Sequence, residues 1–175
     1  MGENSPILLM AILDDTTLDF ISSSTEQSIR LGVRLGELLL VGDLICLSGE
    51  LGTGKTIFAQ GIGRGWGASQ GVTSPTFVLV NEYSKGGDKE ILYHIDCYRL
   101  NTPADVFTAG IVDVLDSEST IMIEWPERII NMLPDDRFWL DLRYISETKR
   151  GLRFKASGDR ASQLLNDFRK SAFGV

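Results

Sequence analysis

Cysteine and histidine are scarce in this chain, basic residues are outnumbered by acidic ones, and no apolar run approaches the length of a membrane helix. Each shortage removes a class of function. The two cysteines, Cys46 and Cys97, form no C-x-x-C pair and stand at no metal-ligand spacing, which leaves neither a disulfide framework nor a structural zinc site. A reducing compartment fits, and the protein is expected to be cytoplasmic. Lys and Arg number 17 against 24 Asp and Glu, a formal net charge of -7 with a pI near 4.7. Proteins that hold nucleic acid alone draw most of their affinity from Lys and Arg on phosphates, so any contact with RNA is expected to be indirect. The run Ile7 to Leu13 is far short of the ~20 residues of a membrane span and lacks the basic residues that precede a signal sequence. Pro6 stands where myristoylation requires Ser or Thr. No membrane association is expected.

What is present is centred on Gly49-Glu50-Leu51-Gly52-Thr53-Gly54-Lys55-Thr56, a complete G-x-x-x-x-G-K-[ST] phosphate-binding loop directly behind the apolar run Leu44 to Leu47. Glycines let such a loop curl so that successive N–H groups face phosphate oxygens, and the helix that follows offers its positive end. Lys55 is placed to reach the β- and γ-phosphates, and Thr56 to put its hydroxyl on magnesium. Leu51, Gly52, Thr53 and Gly54 complete the cradle. The later cluster Gly63-Arg64-Gly65-Trp66-Gly67 lacks the order of a dinucleotide fingerprint and is expected to end the loop's helix near Gly63.

The composition, 43% apolar and 23% charged over 175 residues, is that of one globular domain. Residues 18–170 are expected to form a single domain of P-loop ATPase type, with residues 1–17 as a poorly ordered extension. In order, the pattern predicts a strand at Leu18 to Ile21, a helix capped from Ser23 or Ser24 and ending near Gly42, and a buried strand at Asp43 to Ser48. Two strands then follow, Val78 to Tyr83 and Glu90 to Asp96, joined by a turn. A short helix with Pro103 at its first position and a further turn from Gly110 to Leu115 lead to a buried strand at Thr120 to Glu124. A strand pair from Arg137 to Ile145 and Leu152 to Ala156, and a helix from Asp159 to Phe168, close the chain. Strands interleaved with helices behind a phosphate loop indicate an α/β, three-layer P-loop NTPase fold with a mainly parallel central sheet and antiparallel edge strands.

A magnesium nucleotide requires a carboxylate near Thr56, supplied from the end of a neighbouring apolar strand. Asp96 and Glu124 both qualify, although polar residues also mark strand ends without further role. Glu124 is assigned to the metal, directly or through water, and Asp96 either to supporting the metal's ligands from behind or to positioning water. Thr76, in the segment Ser74-Pro75-Thr76, is read either as a γ-phosphate sensor or as part of a turn. His94, the only histidine, is read as a residue packed beside the site, and Trp125 as either pocket wall or core.

Thr25 with Leu31-Gly32, the loop Gly49 to Thr56, Ser74-Pro75-Thr76-Phe77, His94-Ile95-Asp96-Cys97-Tyr98-Arg99-Leu100 and Glu124-Trp125-Pro126-Glu127 resemble, in order and spacing, the TsaE family of bacterial tRNA threonylcarbamoyladenosine biosynthesis. That resemblance spans about Thr25 to Arg153. It implies a small magnesium-dependent ATPase, binding ATP and ADP, that works with TsaB and TsaD in modifying adenosine 37 of tRNA. It further implies nucleotide on Leu51 to Thr56, magnesium on Thr56 and Glu124, Thr25 near the base or ribose, Asp96 and Thr76 supporting hydrolysis beside Lys55, and Arg153 or Arg150 approaching the nucleotide.

Three rivals stand beside this reading, two of them different in kind. A P-loop kinase acting on a small acceptor requires arginines that close over the transferred group, and Arg128, Arg137 and Arg143 are scattered in sequence. A GTP-dependent switch usually carries an N-K-x-D segment, which this chain lacks. A nucleotide-dependent assembly factor would differ only in how much turnover matters.

Overall fold

The computed structural model describes residues 11–75, 79–87 and 89–175. Strands β1 (Ala11–Asp14) and β2 (Thr17–Ser22) precede helix α1 (Thr25–Gly36), strand β3 (Leu44–Ser48) and helix α2 (Lys55–Trp66). Strands β4 (Val80–Ser84) and β5 (Ile91–Asp96), the short helices α3 (Pro103–Thr108) and α4 (Ile111–Leu115), and strand β6 (Thr120–Glu124) follow. A 3-10 helix at Pro126–Met132 leads to β7 (Arg137–Tyr144), β8 (Arg150–Ser157) and α5 (Asp159–Phe173).

All the strands join one sheet in the order β1-β2-β8-β7-β3-β6-β5-β4. The four central strands β7, β3, β6 and β5 run parallel, and the remaining pairs are antiparallel. A parallel centre with antiparallel margins is the arrangement expected from the sequence. The reason lies in β3 and β6, whose residues are buried on both faces and therefore read as unbroken apolar runs. Because side chains alternate, β3 sends Ile45 and Leu47 to one face and Leu44 and Cys46 to the other. The first face meets α1, α2 and α5 through Leu31, Leu35, Phe58, Ile62, Leu165 and Phe168. The second meets α3, α4 and the 3-10 helix through Val106, Ile111 and Ile129. The result is three layers.

Several boundaries differ from expectation. Helix α1 stops at Gly36, not near Gly42; its N-terminus is capped by Ser24, whose hydroxyl accepts from the Gln27 N–H at 3.1 Å. Helix α2 continues through Gly63 and Gly65 to Trp66 and is closed by Gly67 at φ 95°. The glycines do not break it because they make room: a methyl group on Gly36 would collide with the Ile62 carbonyl, and one on Gly65 with the Val33 carbonyl. The two helices thus meet backbone to backbone. Helix α5 extends to Phe173, and residues 11–14 form β1 against β2, inside the stretch expected as an extension. Buried Arg169 on α5 holds that hairpin by donating to the carbonyls of Asp14 at 2.6 Å and Thr17 at 2.9 Å. Among the described residues no helix is long and apolar enough to cross a membrane.

Candidate functional site: a phosphate loop facing a buried carboxylate

The site lies at the carboxyl edge of the parallel strands, the edge where ligands of open α/β sheets bind. Strand β3 ends at Ser48, and the loop turns into α2 at Gly54, whose φ of 100° lies in the left-handed region that glycine adopts freely. No side chain caps α2, so the N–H groups of its first turn face outward for an anion. Thr53, almost fully buried, fastens the loop by donating its hydroxyl to the Glu50 carbonyl at 2.8 Å. Arg150 of β8 braces it from outside, Nε donating to the Thr53 carbonyl at 3.1 Å.

Lys55 Nζ donates to the carbonyls of Gly49 at 2.6 Å and Glu50 at 2.8 Å and lies 4.4 Å from the centre of the Trp125 ring. Burial lowers its pKa, against the attraction of Glu124, Asp96, Glu127 and Glu50. Trp125 is the only non-glycine residue with positive φ among the described residues, at 59°. A bulky residue there costs about 1–3 kcal/mol, and the strain turns the ring back toward Lys55 and Tyr98, whose ring centre is 4.9 Å away.

Register delivers the carboxylates. Strands β5 and β6 run parallel with Asp96 beside Glu124, and alternation puts both on the face that carries α2. Glu124 is 3% exposed; Thr56 Oγ1 lies 3.1 Å from its Oε1 and 3.3 Å from its Oε2. His94 Nε2 lies 2.9 Å from Glu124 Oε1. Asp96 accepts the Tyr98 N–H at 2.9 Å, while burial raises its pKa. A hydroxyl and a carboxylate converging behind a phosphate loop are hard oxygen donors of the kind magnesium takes, with phosphate and water completing its shell. Among the described residues no group of three or more His, Cys, Asp or Glu offers an all-protein metal cage. The donors present fit magnesium held jointly with a nucleotide.

Two adjoining cavities share Leu51 and Trp125. The smaller, about 320 Å³, is lined by Gly52, Gly54, Lys55, Thr56, Asp96 and Glu124 among others. The larger, about 800 Å³, is lined by Thr53, Arg128, Asp141, Arg143, Tyr144 and Arg153 among others. The expected residues are thus brought together with two exceptions. Thr25, exposed at the start of α1, lines neither cavity, and Thr76 lies outside the described residues. Arg153 faces the larger cavity but is engaged by Asp19 in two hydrogen bonds of 2.7 Å each. Arg128 and Arg143, separate in sequence, converge on that cavity with Arg153, which corrects the expectation of scatter for these two, whereas Arg137 lines a different cavity. Sequence reasoning also missed Glu127, which is hydrogen-bonded to the Ser48 hydroxyl, and the contact of His94 with Glu124. The signal for the latter was available: His94 and Asp96 are two apart on a strand and share a face.

A profile of the threonylcarbamoyl adenosine biosynthesis protein TsaE matches residues 22–152. Among curated relatives, the tRNA threonylcarbamoyladenosine biosynthesis protein TsaE of Streptomyces coelicolor is 43% identical over 124 residues, covering 70% of this chain and 84% of the relative. The protein of the same description from Treponema pallidum is 35% identical, covering 74% of this chain and 94% of its own. The crystal structure of YdiB from Bacillus subtilis superposes with a TM-score of 0.69 at 25% identity, covering 88% of this chain and 95% of that one. With a profile matching most of its length and relatives at this level of identity, the chain belongs to the TsaE family.

Proposed function

We propose that this protein binds and hydrolyses magnesium ATP as a component of tRNA threonylcarbamoyladenosine biosynthesis, acting with TsaB and TsaD in the cytoplasm. The observation that carries the reading is Thr56 Oγ1 at 3.1 Å from the buried Glu124 carboxylate, directly behind a complete phosphate loop. The N–H groups of residues 51–56 bind phosphate, and Lys55 exchanges the Gly49 and Glu50 carbonyls for phosphate oxygens. Thr56 and Glu124 hold magnesium, which when bound neutralises charge building on the transferred phosphoryl group. Asp96, kept partly buried and with a raised pKa, orients the attacking water and is suited to receive its proton. The family's tRNA role and the net charge of -7 agree with an effect on tRNA that passes through protein partners.

The test is depletion of the protein from its host followed by mass spectrometry of tRNA nucleosides. Threonylcarbamoyladenosine should fall, and a chain with Lys55→Ala should fail to restore it. An unchanged level would remove the reading. One observation favours a second reading, a kinase for a small acceptor: Arg128, Arg143 and Arg153 share the 800 Å³ cavity beside the loop. A screen for phosphoryl transfer from ATP to small metabolites separates the two.

A further inference from the structure

His94 is fully buried, and its two ring nitrogens have unlike surroundings. Nε2 is 2.9 Å from Glu124 Oε1, whereas Nδ1 is buried with no hydrogen-bond partner among the described residues. An N–H on Nδ1 would be an orphaned buried donor, an arrangement rarer in proteins than an under-used acceptor. A proton therefore belongs on Nε2, donated to the Glu124 carboxylate. The same carboxylate lies within 3.3 Å of the Thr56 hydroxyl through both oxygens. Glu124 also has a competing attraction, since it is first among the carboxylates that act on the Lys55 ammonium.

We infer that His94 is a positioning residue, which donates from Nε2, fixes the Glu124 carboxylate toward Thr56 and so prepares it as a magnesium ligand. This rests on the reading of Glu124 as a metal ligand. Geometry supports the division of labour. Side chains at 94 and 124 come from neighbouring parallel strands and meet on the face beneath α2, where His94 is fully buried and Glu124 opens only onto the smaller cavity. The imidazole spans from the β5 backbone to the one carboxylate oxygen that its ring can reach, leaving the other side of Glu124 for the metal. Hydrogen-bond partners behind metal-ligating groups typically carry a 10–100-fold share of metal affinity.

Because His94 is the only histidine, its ring gives the only imidazole nitrogen signals in the spectrum. Nitrogen NMR of the full-length protein at neutral pH should show a protonated Nε2. A bare Nε2 overturns the inference without any substitution. Magnesium is then titrated against each variant in the presence of ADP. His94→Gln, whose amide reaches the position of Nε2, should retain affinity within about threefold, whereas His94→Leu should lose about tenfold or more. Equal affinity in His94→Leu and wild type, with Glu124→Gln impaired, defeats the role of His94 alone. Unchanged affinity in Glu124→Gln defeats the metal-ligand reading and this inference with it.

Discussion

At the scale of single residues the proposed reading separates binding from turnover. On that reading Lys55→Ala removes the charge that meets the terminal phosphates, and Thr56→Ala removes a magnesium ligand; each should lower ATP hydrolysis by about 100-fold or more in a phosphate-release assay. Both side chains face the cavity, so circular dichroism should show an unchanged fold. Asp96 behaves differently because burial raises its pKa above the ordinary 3.8. Below that value the carboxyl is protonated in folded and unfolded chains alike and costs nothing. As pH rises through 3.8 and then through the folded value, the unfolded chain releases its proton first, and stability is lost. At neutral pH the wild type bears this cost. Asp96→Asn should therefore melt higher than wild type near pH 7, with the advantage vanishing toward pH 3.8, while turnover falls and nucleotide binding is largely kept. Melting curves across pH, read beside calorimetric binding, check both halves. A variant less stable than wild type at pH 7 would contradict the electrostatic account.

At the scale of elements, α1 and α2 make the sharpest case. Ala normally outranks Gly inside a helix by about 1 kcal/mol, so Gly65→Ala should stabilise α2 if the helix stood alone. Here the added methyl meets the Val33 carbonyl, and overpacking against backbone costs about 1–3 kcal/mol. Thermal unfolding should place Gly65→Ala several degrees below wild type, whereas Gly71→Ala, with open space around it, should change little. This contact also explains what was legible in the sequence. The strands β3 and β6 were read correctly because burial on both faces leaves an unbroken apolar run. The end of α2 was misread because Gly63-Arg64-Gly65 looks like a breaker, when Gly65 makes room for a partner helix some 30 residues earlier in the chain and Gly63 for Val72 just after α2. Likewise Leu38, Leu39 and Leu40 continue the apolar pattern of α1 past its true end; the intervals persist, but the backbone hydrogen bonds tighten into a turn after Gly36. Local pattern reports propensity, and only the tertiary contact reports which glycine ends a helix.

Across the whole molecule, the candidate site was legible where one motif carried both chemistry and position. Glycine spacing located the loop, and the ends of β5 and β6 located the two carboxylates. What stayed hidden depended on distant strands meeting: Arg153 found Asp19 across β8 and β2, and Arg128 joined Arg143 in one cavity. The same arrangement distributes the three tryptophans so that each watches a different region. Trp66 ends α2 beneath the Lys85 ammonium, Trp139 donates its Nε1–H to Asp141 at 2.8 Å, and Trp125 lies under Lys55. The last is a built-in optical gauge of the phosphate loop. An ammonium resting on an indole face perturbs its excited state, and moving Lys55 onto phosphate oxygens lifts that perturbation. Intrinsic fluorescence should therefore change on addition of ADP with magnesium, keep changing in Trp66→Phe and Trp139→Phe, and fall silent in Trp125→Phe. The strained tryptophan beside the loop would then report, without any label, each arrival and departure of nucleotide on a stopped-flow trace.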